Sequence, residues 1–199
     1  TLPCAGLTAW NAITGYGGTR PGDTVLVLGT SSVGLFALQF AKLAGARVIL
    51  TSSTDEKLAR AKALGADHVI NYRTTPDWSR TVRTLTGGDG ADLVIELGGA
   101  ETLDNSLRAV RPSGRISLIG IVTGATAKLD LISVVTRNIR LHGVTVGHRE
   151  SFEAMARAIA QHRLRPVIDR VFPMAETAAA FAHAEDPTHF GKVCVRIAG

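Results

Sequence analysis

Aromatic residues are scarce in this chain of 199 residues, at 5%, and none is interleaved with a basic run. That argues against a nucleic-acid face, which needs stacking platforms beside clustered cations. The net charge of +5 is spread singly, as at Arg47, Arg60, Lys62, Arg83 and Arg108, and reads as a solvated basic surface. Cysteine is almost absent. Cys4 and Cys194 stand near opposite ends and make no disulfide framework, which points to a reducing, cytoplasmic setting. No apolar run reaches the roughly 18–20 residues of a membrane span, so no membrane partner is expected. The opening TLPCAGLTAW has no basic region followed by a long apolar stretch, so no signal peptide is read. It also has no initiating Met, as in a fragment or a processed chain. The six histidines, His68, His142, His148, His162, His183 and His189, show no H-x-x-x-H spacing and read as surface or loop residues. No Ser-His-Asp set or carboxylate pair can be placed by spacing, so the catalytic residues stay unassigned.

What is abundant is a buried-sheet pattern, with 45% hydrophobic residues. The chain is organised around Asp23 to Gly34, DTVLVLGTSSVG. Thr24 to Leu28 predicts a buried strand, Gly29 to Ser32 a turn, and Val33 to Ala44 a helix apolar nearly all round. Such a unit aims the first N–H groups of a helix at one point, which favours an anion such as a pyrophosphate. Gly29 and Gly34 match the first and last glycines of G-x-G-x-x-G, whereas Ser31 stands at the middle one.

The alternation continues. Before the first strand, Leu7 to Ile13 predicts a helix, and Arg20 to Asp23 a turn. Gly45 caps the buried helix, and Val48 to Thr51 predicts the second strand. Ser53 with Glu56 reads as a capping box opening a helix to Leu64, stopped by Gly65. His68 to Asn71 predicts a third strand and Pro76 to Leu85 a helix. Asp92 to Leu97 is a fourth strand, Leu103 to Val110 a helix, Pro112 to Gly114 a turn, and Arg115 to Ile119 a fifth strand. Ile139 to Val146 is the sixth, followed by a helix from Phe152 to His162. Three strands end in glycine, at Gly98, Gly120 and Gly147, which suits a ligand cleft at the carboxyl edge of a parallel sheet. From Pro166 the texture changes: strand Val167 to Phe172, helix Ala175 to Ala184, strand Lys192 to Ile197. The expected architecture is α/β, a doubly wound six-stranded parallel sheet (a Rossmann fold) with a short C-terminal appendage. The expected divisions are a lead-in segment 1–22, a dinucleotide-binding domain 23–165 and a C-terminal piece 166–199.

The second strand ends in Thr51-Ser52-Ser53, with no carboxylate at the tip where an NAD site places one. Ser52 and Ser53 can donate to a 2′-phosphate, and Lys57 can add charge. NADP(H) is therefore expected over NAD(H). A different Rossmann enzyme, such as a methyltransferase, is the less favoured reading.

Six stretches carry a family resemblance: LPCAGLTAW, RPGDTVLVLGTSSVG, AKLAGARVI, KALGADHVINY, GRISLIG and HFGKVCVRI. They resemble the medium-chain dehydrogenase/reductase superfamily, within it the alcohol dehydrogenase-like and quinone oxidoreductase-like members. The resemblance implies an oxidoreductase moving hydride between a nicotinamide and a carbonyl, alcohol or activated alkene. It implies a cofactor-binding portion whose preceding catalytic region is missing. The alternative is a cofactor-binding unit without turnover. By position, Gly29, Thr30, Ser31, Ser32, Val33 and Gly34 would hold the pyrophosphate. Ser52, Ser53, Lys57 and Tyr72 would meet the adenosine 2′-phosphate. Gly98, Gly120, Ile121 and Val146 would line the adenosine and nicotinamide halves. Thr8 would lie beside the nicotinamide, with Phe190, Gly191 and Lys192 nearby. Two departures are the serines at 31 and 32 where the family shows glycines, and a lone Cys4 at the position of a catalytic zinc ligand. One thiol cannot complete a site that takes three protein ligands, so zinc is not expected in this chain and Cys4 reads as a buried spectator thiol. The resemblance also implies a small-molecule substrate and a homodimer paired along the strand from Ile139 to Val146.

Overall fold

A computed structural model describes residues 2–197. The strands of its main sheet are β1 (Thr24–Leu28), β2 (Arg47–Ser52), β3 (His68–Asn71), β4 (Ala91–Glu96), β5 (Val110–Leu118) and β6 (Arg140–Gly143). All are parallel, in the order β3-β2-β1-β4-β5-β6. The order reverses direction between β1 and β4, so the two halves of the sheet diverge from the carboxyl end of β1. In a doubly wound sheet that is the ligand crevice. The expected six-stranded Rossmann architecture is therefore the observed one.

Strand alternation builds two separate cores. Val25, Val27, Val48, Leu50, Leu93 and Ile95 point to one face, where they meet Phe36 and Phe40 of α2 (Ser32–Leu43), Met155 of α7 (Arg149–His162) and Phe190. Leu26, Leu28, Ile49, Val94 and Ile116 point to the other, under Trp78 and Val82 of α4 (Trp78–Leu85) and Leu107 of α5 (Leu103–Ala109). Burial on both faces explains why these strands read as continuous apolar runs.

Before β1 the chain is helical from Leu2 to Gly15, with a central turn, α1 (Leu7–Trp10), between two wider π-type turns. It lies on α2, where the Trp10 and Phe40 rings meet edge to face, 5.2 Å between centroids. After the main sheet, β7 (Ile168–Pro173) and β8 (Lys192–Arg196) pair in a parallel sheet of their own, bridged by α8 (Thr177–Glu185).

Several boundaries differ from the sequence reading. Helix α3 (Asp55–Ala63) is capped by Thr54, whose Oγ1 accepts from Lys57 N at 3.4 Å, so the Ser53–Glu56 box does not form. The reason is that β2 runs through Ser52. Helix α4 opens at Trp78 rather than Pro76, because Thr75 N is spent on Asn71 O at 2.9 Å and belongs to the preceding turn. Helix α5 stops at Ala109, and Val110 already pairs with Ala91. Strand β5 then makes an excursion through the expected turn, with Ser113 at φ 58°, and resumes pairing at Arg115. Strand β6 ends at Gly143, because its partner β5 ends at Leu118. An additional helix that the sequence pattern does not predict, α6 (Leu131–Thr136), is capped by Asp130, which accepts from Ile132 N and Ser133 N. It buries no residue, so no core-facing periodicity announces it.

Candidate functional site

Four groups of loops meet along the carboxyl edge of the sheet, and each is held by a different device. The first is the turn from β1 into α2. Gly29 lies at φ +90°. A Cβ on Gly34 would stand 2.2 Å from the Gly29 carbonyl oxygen, so the helix can start this close to the strand only with glycine there. Ser31 caps the helix, its Oγ accepting from Gly34 N at 3.4 Å. The serine at the middle fingerprint position thus takes a structural task, while the amides of Ser32 and Val33 lie at the helix start, where no helical carbonyl precedes them.

The C-terminal piece is stitched onto this turn. Ser32 Oγ donates to Gly191 O at 3.0 Å, and Gly191 N donates to Thr30 O at 3.3 Å. The candidates Gly29 to Gly34 and Phe190 to Lys192, some 160 residues apart in sequence, are therefore one local structure.

The second group joins the ends of β4 and β5 around Glu96, a carboxylate with no solvent exposure. Its Oε1 accepts from Gly98 N at 2.8 Å, Gly99 N at 3.1 Å and Thr102 Oγ1 at 2.6 Å. Its Oε2 accepts from Ser106 Oγ. A buried carboxylate held by donors on all sides fixes the Gly98 loop and the start of α5 together. Thr123 N reaches back to Gly98 O at 2.9 Å, and a Cβ on Gly120 would stand 1.8 Å from Leu97 O. Gly98, Gly120 and Ile121 thus share one site, with Ile121 65% exposed at its rim.

The third group links the first helical segment to the loop after β6. Asn11, nearly buried, donates from Nδ2 to Val146 O at 2.7 Å. Val146 has φ 36°, a strained value for a β-branched residue, and this hydrogen bond is one of the contacts that hold it. Thr8 is one turn before Asn11, buried, and its Oγ1 donates to Cys4 O at 2.8 Å.

The fourth group surrounds the tips of β2 and β3. Ser52 is buried and its Oγ lies 3.0 Å from Thr30 Oγ1, tying this tip to the first turn. Ser53 is half-buried, and Tyr72 is exposed beside it, with its N donating to Ser52 O at 3.1 Å. Lys57 is buried and donates from Nζ to the Pro187 carbonyl. Burial pulls its ammonium below the usual lysine range, against Asp169 and Asp186, which favour the charged form. Asp55 accepts from Asn71 Nδ2 at 2.8 Å, so one carboxylate does stand near this tip.

Behind Lys57 a side-chain hub docks the C-terminal piece. Asp169 meets Arg60 Nη2 at 3.3 Å and His183 Nε2 at 2.8 Å, and Arg60 lies over the Phe190 ring, 4.1 Å from its centroid. Burial would raise the Asp169 carboxyl, but the hydrogen bonds from His183 and Arg60 outweigh it and hold it below the usual range. His183 is thus a hub member rather than the plain surface histidine expected.

Asn11, Glu96, Arg60, Asp169 and His183 escaped the sequence reading. Glu96 carried a faint signal, as a lone acid inside an apolar strand just before Gly98-Gly99. The others are joined only by folding. Cys4 is exposed, not buried as expected. Among the described residues, no three His, Cys, Asp or Glu side chains come close enough to hold a metal ion. The residues present do not fit a tetrahedral zinc. No helix among the described residues is long and apolar enough to cross a membrane.

Known proteins share the sequence and the fold of this chain. A family model described as zinc-binding dehydrogenase matches residues 32–161. A zinc-type alcohol dehydrogenase-like protein of Schizosaccharomyces pombe is 44% identical over 99% of this chain and 59% of its own length. A crystal structure of an NAD-dependent alcohol dehydrogenase superimposes with a TM-score of 0.90 at 38% identity, over 98% of this chain and 57% of that one. A mycobacterial structure complexed with NADPH superimposes with a TM-score of 0.85 at 31% identity, over 96% of this chain and 62% of that one. The chain spans a little under 60% of the first two of these relatives.

Proposed function

The chain belongs to the zinc-binding dehydrogenase family, and from that premise we propose that it is the NADP(H)-binding portion of an oxidoreductase. The observation that carries the reading is that the loops after β1, β2, β4, β5 and β6 all lie along the carboxyl edge of one parallel sheet, with the tip of β2 and Gly191 tied to the turn into α2. A pyrophosphate would lie against Gly29 to Gly34, where helix amides and the helix dipole favour it. The nicotinamide would run toward Gly120, Ile121 and Val146, with Thr8 and the Phe190–Lys192 segment beside it. When bound, the nicotinamide supplies the hydride for a carbonyl, alcohol or activated alkene. The chain's own contribution is to orient it, through loops fixed by Glu96 and Asn11.

The 2′-phosphate would meet Ser53 and Tyr72 at the tip of β2, with Lys57 and Arg73, whose charges act on one another, supplying cationic field. Lys57 would have to leave the Pro187 carbonyl to touch it directly. Domain limits at 22/23 and 165/166 are proposed on the same footing, as is a homodimer along β6. That edge is accompanied by exposed Leu131, Ile132 and Val135 on α6, which need covering. Light scattering showing monomer alone at micromolar concentration would refute the dimer.

Separate calorimetric titrations of the chain with NADPH and NADH test the cofactor. Tighter NADPH binding supports the assignment, and Lys57→Ala should then erode the preference. Tighter NADH binding refutes it. The partial coverage of the relatives favours one second reading, a unit that binds the dinucleotide without turnover. Saturable NADPH binding with no oxidation of it by any carbonyl or quinone supports that reading.

A further inference from the structure

A shallow, solvent-open depression of about 390 Å³ lies away from the cleft, between α4, α5 and the end of α6, lined by Asp77, Ser79, Arg80, Arg83, Arg108 and Arg137. Four arginines and one carboxylate line it. Among the described residues, Arg80, Arg83 and Arg137 join no ion pair, and Arg108 pairs at the surface with Asp104 at 3.0 Å. Arg83 and Arg137 are held by backbone instead. Arg83 donates to the Gly88 carbonyl. Arg137 donates to the carbonyls of Leu107 and Val110, which fixes it at the wall of the depression. Burial, and after it the charge of Arg83, pull the Arg137 guanidinium below its usual value.

We propose that this depression is a binding site for a compact phosphate-bearing anion. A guanidinium fork such as that of the exposed Arg80 matches phosphate oxygens two at a time, Arg83 and Arg137, held by carbonyls, add fixed positive charge, and a volume near the lower end of small-ligand sites suits a pyrophosphate or a small phosphate ester. No apolar or aromatic side chain lines it, so a base would have nothing to stack on. That disfavours nucleosides and single-stranded nucleic acid. Asp77 accepts from Ser79 Oγ at 2.7 Å, and this bond, with the charges of Arg108 and Arg80, holds its carboxyl below the usual range.

The test is a calorimetric titration of the full chain with pyrophosphate, compared with an Arg80→Gln/Arg108→Gln double variant. Both positions are exposed, and circular dichroism checks the fold. The dinucleotide cleft is intact in both proteins, so binding that differs between them belongs to the arginine-lined depression, whether or not NADPH binds. The expected result is a binding event weakened roughly tenfold or more in the variant, and partly restored in Arg80→Lys/Arg108→Lys. Identical isotherms would overturn the site. Equal affinity for citrate in the wild-type chain would overturn its phosphate character.

Discussion

The two ends of the cleft are built from different materials. Around β1, β4 and β5 the walls are backbone: glycines at close approach and amides fixed by one buried carboxylate. Around the tip of β2 and the C-terminal piece the support is side chains: Lys57, and behind it Arg60, Asp169 and His183. A backbone wall has nothing exposed to titrate, but it has no room for a Cβ. A side-chain hub tolerates changes of size, but it depends on charge, and therefore on pH and salt.

The largest effect expected is at the backbone end. Gly34→Ala places a methyl against the Gly29 carbonyl and should cost about 4 kcal/mol, with loss of dinucleotide binding. Urea unfolding measures it. A change under 1 kcal/mol would show that the turn is looser than its geometry. Next, Glu96→Ala strands the Gly98 and Gly99 amides and should cost about 3 kcal/mol. Hydrogen exchange at those amides should rise with it.

At the side-chain end, Asp169→Asn should cost about 1–2 kcal/mol and loosen β7, β8 and α8 selectively. The pH dependence has a fixed sign. A carboxyl held below its unfolded value stabilises above that value, near pH 4, and loses its contribution as pH falls through the folded one. Acid should therefore release the C-terminal piece before it disturbs the Gly34 turn, as hydrogen exchange at several pH values would read. The reverse order would break the contrast. The smallest effect is Ser31→Ala, about 1 kcal/mol through the lost cap, with Ser31→Gly costing only a few tenths.

The backbone end was also the legible one. TVLVLGTSSVG announces strand, turn and helix because the strand is buried on both faces and glycine is required at fixed offsets. Gly98 and Gly120 were visible for the same reason. Asn11 gave no sign, since its partner Val146 is 135 residues away, and neither residue type is unusual where it stands. The Arg60–Asp169–His183 hub was illegible for a similar reason, because separation in sequence hides side-chain pairing. Helix α6 was missed because it covers no core, and the Ser53 cap was misplaced by one residue because β2 extends through Ser52. Lys57 was visible as a cation, but its burial against Pro187 depended on where the C-terminal piece docks.

The most direct test of the proposed dinucleotide cleft is amide hydrogen exchange of the chain with and without NADPH. The account predicts slowed exchange in four separated stretches together: 29–35, 97–100, 119–123 and 190–192, with little change on α4 and α5. Protection confined to α4 and α5, or none in the 29–35 turn, would contradict it.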